Sequence, residues 1–161
     1  MSYGLYIVCS IDGERLNGQI VNSVIQVTPD PARVAVIVNK KNLTHEFISK
    51  SGLFGVSVLD ESATMAFLGP FGLRSGRDVD KLSKVRFRTG VTGCPLVLDH
   101  ALPVLEAKVV DQIELGSHTI FVGDTVSAEV LKEGRPLTYR YYHEFLKGKV
   151  PDTAPTFNPV K

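Results

Sequence analysis

The stretch from Pro103 to Leu131 constrains the fold more than any other part of the chain. Apolar and polar residues alternate along Val104-Leu105-Glu106-Ala107-Lys108-Val109-Val110 and again along Thr119-Ile120-Phe121-Val122-Gly123-Asp124-Thr125-Val126. A repeat of two is the signature of a strand with one covered face, and Leu115-Gly116-Ser117 is the natural turn between the two halves. Two more strands are predicted at Leu5 to Ile11 and Ile20 to Val27, with Asp12-Gly13 as a hairpin signal. Val34-Ala35-Val36-Ile37-Val38 is β-branched and nearly continuous, which predicts a central strand covered on both faces. Phe54 to Val58 is a further strand. Short helices are predicted from Thr44, as cap, through Lys50, then over Ala63 to Leu68 and Tyr139 to Leu146. Six or more strands interrupted by short helices imply a mainly β protein, a closed or partly closed barrel and not a doubly wound sheet.

At 161 residues, the length fits one domain spanning 1–161. The Pro-rich segment 149–161 has too few core residues to fold alone, so it is expected to lie on another surface, such as a second subunit's. A formal charge of +1 with no run of one sign gives no electrostatic footprint for nucleic acid or an anionic membrane. No apolar stretch approaches the roughly 20 residues of a membrane helix, and the start Met1-Ser2-Tyr3-Gly4 lacks a secretory pattern. Cys9 and Cys94 make neither a disulfide framework nor a zinc cluster. The expected location is the cytoplasm.

Chemistry-bearing motifs are few. The glycines at 69, 72 and 76 do not match G-x-G-x-x-G, and there is no Walker sequence. His45, His100, His118 and His143 show no metal-ligand spacing, so no metal site is expected. Ser57, Ser75 and Ser117 lack the context of a hydrolase nucleophile. Two segments stand out instead. In Gly18 to Thr28, polar Asn22, Ser23, Gln26 and Thr28 interleave with Val21, Val24, Ile25 and Val27. Buried polar groups need partners, and a flat ligand with a polar edge, such as a flavin ring, supplies them. The alternative is a strand whose polar side chains face water.

The second segment is Asn39-Lys40-Lys41-Asn42-Leu43-Thr44-His45, which follows a strand and opens a helix. Free backbone N–H groups, two lysines and a hydroxyl make a seat for phosphate there. The plainer reading is a capped helix after a solvated loop. Gly69 to Gly76, with three glycines and a proline, is read as a packed loop near whatever is bound.

Four segments together resemble the flavin reductase-like proteins with an FMN-binding split barrel. Ser75-Gly76 followed by Asp80-Lys81-Leu82 resembles the family's S-G-x-x-x-D-K-F, and Thr92-Gly93-Cys94-Pro95-Leu96 its G-x-P-L segment. Gly116-Ser117-His118-Thr119-Ile120-Phe121-Val122-Gly123 is similar to its G-D-H-T-x-F-x-G. Tyr3 to Val8 and Gly18-Gln19-Ile20 look most like the branch of archaeal ferric reductase, flavoredoxin and the flavin domain of high-molecular-weight rubredoxin.

The resemblance implies an FMN-binding split β-barrel with short peripheral helices. It also implies an oxidoreductase that passes hydride from NADH or NADPH to FMN, then electrons to a rubredoxin-like protein, ferric iron or free flavin; the alternative is a non-enzymatic FMN relay. It implies a homodimer. By the same likeness Gln19, Asn22, Ser23 and Val24 line the isoalloxazine and ribityl side, and Asn42 and Thr44 with Lys40 or Lys41 take the phosphate, in the segment that Asn39 opens and that is expected to bind the cofactor. Lys81 lies near the site and His118 seats the nicotinamide. Ser117 stands where the family has Asp, and Asn17 where the ferric reductase pattern has cysteine.

Overall fold

The structure is a computed structural model that describes residues 2–148, so the segment 149–161 lies outside the described residues. In chain order it contains β1 (Tyr6–Asp12), β2 (Arg15–Val21), β3 (Val24–Pro29), β4 (Ala32–Asn39), α1 (Leu43–Ser51), β5 (Leu53–Leu59), α2 (Met65–Leu73), β6 (Phe87–Thr89), β7 (Pro95–Val97), β8 (Ala101–Leu115), β9 (His118–Val130) and α3 (Tyr139–Glu144). Seven strands form one antiparallel sheet in the order β2-β1-β5-β8-β9-β4-β3, and β6 pairs with β7 separately.

The outermost strands of that order, β2 and β3, are joined through Asn22 and Ser23 alone. Two residues span only about 7 Å, so the sheet must curl until its edges nearly meet. The result is the mainly β barrel that the strand pattern predicts, in the split form that the resemblance implies. The predicted single strand Ile20–Val27 is therefore corrected to two. Val21 is the last residue paired with β1, and Val24 the first paired with β4. Asn22 and Ser23 turn between them while buried, with Ser23 Oγ donating to Asn22 Oδ1 at 3.0 Å.

Alternation along β1 divides the core. Val8 faces the barrel interior with Val36, Val38, Phe54, Val56 and Phe121. Ile7 and Cys9 face outward, where Leu59, Leu68, Phe71 and Leu137 cover them. The long hairpin β8–β9 turns as expected at Gly116-Ser117, with Gly116 at φ 61 and Leu115 opposite His118.

Two helices differ from expectation. Asn42, not Thr44, is the N-cap of α1, and Thr44 is fully buried in its first turn. Helix α2 runs to Leu73 through Pro70, taking in most of the predicted loop. Proline forfeits one helical hydrogen bond, but Leu68 and Phe71 are buried on either side of it and hold the turn in place.

Candidate functional site

A cavity of about 360 Å³ opens where the barrel edges come together. Its walls come from four places. The end of β2 and the crossing supply Asn17, Gln19, Ile20 and Asn22, while the end of β4 and the start of α1 supply Ile37, Asn39, Lys41 and Asn42. The end of α2 and the loop after it add Phe71, Gly72, Arg74, Ser75, Gly76 and Arg77, and beyond them lie Lys81 and the α3 residues Tyr139 and Tyr142. Mixed apolar walls with a few converging polar groups are the usual form of a small-molecule site.

The polar groups differ in how they are satisfied. Gln19 is only 8% exposed, yet no hydrogen bond among the described residues serves its amide. An amide in that position needs a ligand or water partner. Asn42 makes no side-chain cap bond, so α1 points uncapped amides and the positive end of its dipole toward the cavity. Asn39 Oδ1 accepts from Lys41 N at 2.9 Å and shapes that corner. The Lys41 ammonium has no ion-pair partner among the described residues, whereas Arg77 is tied to Glu46 and donates to the Lys41 carbonyl at 3.3 Å.

Lys81 is 7% exposed and donates to the Phe71 carbonyl at 3.3 Å. Burial pulls its titration down to about 8, with Cys9 pulling the other way. Burial also pushes the Cys9 thiol up, so Cys9 brings no negative charge to the neighbourhood.

Of the residues implied by resemblance, Gln19, Asn22, Asn39, Lys41, Asn42 and Lys81 meet in this cavity. Ser23 turns to Asn22, and Val24 packs against the barrel core. Lys40 pairs with Glu114 on β8. Thr44 accepts a 2.7 Å hydrogen bond from Asn17 Nδ2, which makes it a tie between α1 and β2 rather than a ligand-facing hydroxyl. His118 does not line the cavity, although it pairs across the sheet with Asn39, which does. Its Nε2 is buried without a hydrogen-bond partner among the described residues, and its Nδ1 lies 2.9 Å from Ser117 Oγ.

Sequence reasoning gives no ligand role to Asn17, Tyr139 or Tyr142, although it marks Asn17 as standing in place of a cysteine, and it reaches Phe71 and Arg74 only as members of the segment Gly69 to Gly76. Tyr139 and Tyr142 are three apart on a helix, the spacing of one face, and that stripe was the available signal. Asn17 also closes the space beside Gly76, where a Cβ would fall 2.0 Å from Asn17 Oδ1. Among the described residues no group of three His, Cys, Asp or Glu could hold a metal, and no helix is long and apolar enough to cross a membrane.

The model of the flavin reductase like domain matches residues 1–145. The chain belongs to the flavin reductase-like family. It is 50% identical over 157 residues to the ferric-chelate reductase (NAD(P)H) of Archaeoglobus fulgidus, covering 98% of this chain and 93% of that protein. It is 44% identical over 157 residues to the high molecular weight rubredoxin of Moorella thermoacetica, covering 98% of this chain and 69% of that one. The crystal structure of flavoredoxin from Methanosarcina acetivorans matches with a TM-score of 0.73 at 26% identity, over 84% of this chain and 74% of that one. As a flavin reductase-like protein the chain is an oxidoreductase and a flavoprotein.

Proposed function

We propose that the cavity holds FMN and that the protein uses NADH or NADPH to reduce it, passing the electrons to an acceptor such as a rubredoxin-like protein, ferric iron or free flavin. The observation that carries this reading is the amide of Gln19, which has no hydrogen-bond partner among the described residues and faces the same cavity as the uncapped start of α1. One edge-binding amide and one anion seat are what a ring with a single phosphate requires.

Gln19 and Asn22 would hold the polar edge of the ring. Lys41, Asn42 and the first amides of α1, with Arg77 beside them, would hold the phosphate through charge-assisted bonds. Phe71 and Tyr142 supply apolar walls that exclude water. When bound, FMN supplies the hydride acceptor, while the protein contributes position and electrostatics. His118, on the face it shares with Asn39, is the residue assigned to the nicotinamide. The ferric-chelate reductase and rubredoxin names of the relatives support the choice of acceptors. The two cysteines are free and buried, which suits a reducing cytoplasm.

The test is anaerobic titration of the FMN-reconstituted protein with NADH and then NADPH. Loss of the yellow colour with either is the expected result. Bleaching only by a reduced partner protein would favour a relay, and colourless protein that ignores added FMN would overturn the flavin reading.

A further inference from the structure

Three charged side chains are buried among the described residues, and they differ in one respect. Asp60 is paired with Lys132 and bonded to Ser62. Glu106 accepts from the amides of Val91 and Thr92, each at 2.9 Å. Among the described residues Lys81 has no carboxylate partner, only the Phe71 carbonyl at 3.3 Å and the neutral Cys9 thiol beside it. A buried cation without an anion is costly, so it gives up its proton more easily, and a negative charge brought beside it would restore that proton. The open side of Lys81 is the cavity.

We propose that Lys81 is the counter-charge for the negative charge that reduction places on the flavin ring bound in this cavity. The inference rests on the flavin reading of the site. Transfer of hydride from a reduced nicotinamide moves two electrons and one proton, oxidises the nicotinamide and leaves one net negative charge on the ring. That charge raises the proton affinity of an ammonium beside it. Lys81 titrates at about 8 before reduction. Above that pH it is neutral until the ring is reduced, and then takes one proton from water, so that two electrons enter with two protons instead of one.

Other charged or titratable groups border the same space. They are Arg74 and Arg77 on the loop, Lys41 before α1, and Tyr139 and Tyr142 on α3, while Cys9 on β1 is fully buried next to Lys81 and Asp80 is adjacent in the chain and bonded to the Leu82 amide. All of them remain in a Lys81→Met variant. A difference between variant and wild type therefore reports on Lys81.

The experiment measures the midpoint potential of protein-bound FMN against pH by equilibration with redox dyes. The wild-type line is expected to steepen above about pH 8 by one proton per two electrons, a tenfold change in the equilibrium constant and about 30 mV for each pH unit. Lys81→Met is expected to show no steepening above about pH 8, with its line displaced to lower potential. Lys81→Arg, permanently charged, should keep the shallow slope with the wild-type potential at acid pH. A wild-type line without a break overturns the inference by itself, whether or not the variants fold, and so does a break that survives in Lys81→Met. Binding of FMN with an unbroken line removes this inference alone, whereas failure of the wild type to bind FMN removes the flavin reading as well.

Discussion

Lys40 and Lys41 stand side by side in the chain and have different work in the fold. The Lys40 ammonium is taken by Glu114, whose carboxyl it holds below the usual carboxylate range, while Lys41 borders the cavity with no ion-pair partner among the described residues. A phosphate seated at the start of α1 draws on Lys41 and not on Lys40. Charge-assisted hydrogen bonds contribute about 1.5 to 3 kcal/mol each, so Lys41→Ala should weaken FMN binding roughly 10- to 100-fold. Lys40→Ala should change it by no more than about twofold, because it removes an exposed ion pair of small worth. Calorimetric titration of both variants with FMN checks the pair. The reverse order of affinities would move the phosphate seat to the β8 side of the loop.

Among the elements, β8 anchors a turn from a distance. Glu106 is buried on β8, and its carboxylate gathers the Val91 amide, the Thr92 amide and the Thr92 hydroxyl, while Gly90 leaves it room that a Cβ would fill. This fixes the turn that leads into β7, whose Leu96 packs with Val104 of β8. In Glu106→Gln one acceptor oxygen becomes a donor facing donors, and a loss of about 2 to 3 kcal/mol in unfolding free energy is expected. Urea denaturation reads that loss as a lower midpoint, and an unchanged midpoint would show that the turn holds without Glu106. Such ties explain which elements were legible in the sequence. The turns at Gly13 and Gly116 are set by adjacent residues, so both hairpins could be read directly. The break at Asn22-Ser23 could not, because apolar alternation runs straight through it and only the meeting of the sheet edges decides where the chain crosses. Thr44 read as a helix cap because its partner, Asn17, is 27 positions away. Gly69-Pro70 reads as the start of a loop because the burial that carries α2 past it belongs to the tertiary fold. Likewise Gln19, Asn42 and Lys81 were named from motif likeness, whereas the missing partner of Gln19 and the depth of Lys81 appear only once four separate segments are folded around one cavity.

At the scale of the molecule, the curled sheet leaves part of its outer surface apolar and open. Strand β5 pairs with β8 only as far as Lys108, so the remainder of β8 has β9 on one side and, among the described residues, no neighbouring strand on the other. Val110, Ile113 and Leu115 on that free portion are about half exposed. Register continues their rows inward: Ile113 pairs with Ile120, which pairs with Ile37, and Leu115 pairs with His118, which pairs with Asn39. Cross-strand partners share a face. Ile37 and Asn39 line the cavity, so an apolar row through Ile113, Ile120 and Ile37, and beside it the row that begins at Leu115, run from the open strand end to the mouth of the site. An unpaired strand edge with apolar side chains invites a second strand, and a two-fold partner covers it with the same surface of another copy. The homodimer implied by family resemblance is therefore proposed on this face, with the cavity at the subunit boundary. A lysine at Ile113 places charge in the middle of such an interface, where truncation or burial of an unpaired charge costs several kcal/mol. Sedimentation velocity of the wild type should give the mass of two chains, and Ile113→Lys should shift it to one. Because the partner would cover the cavity mouth, the monomeric variant should also release FMN faster. A wild type that sediments as a single chain with FMN firmly bound would place the boundary elsewhere and leave the cavity complete within one subunit.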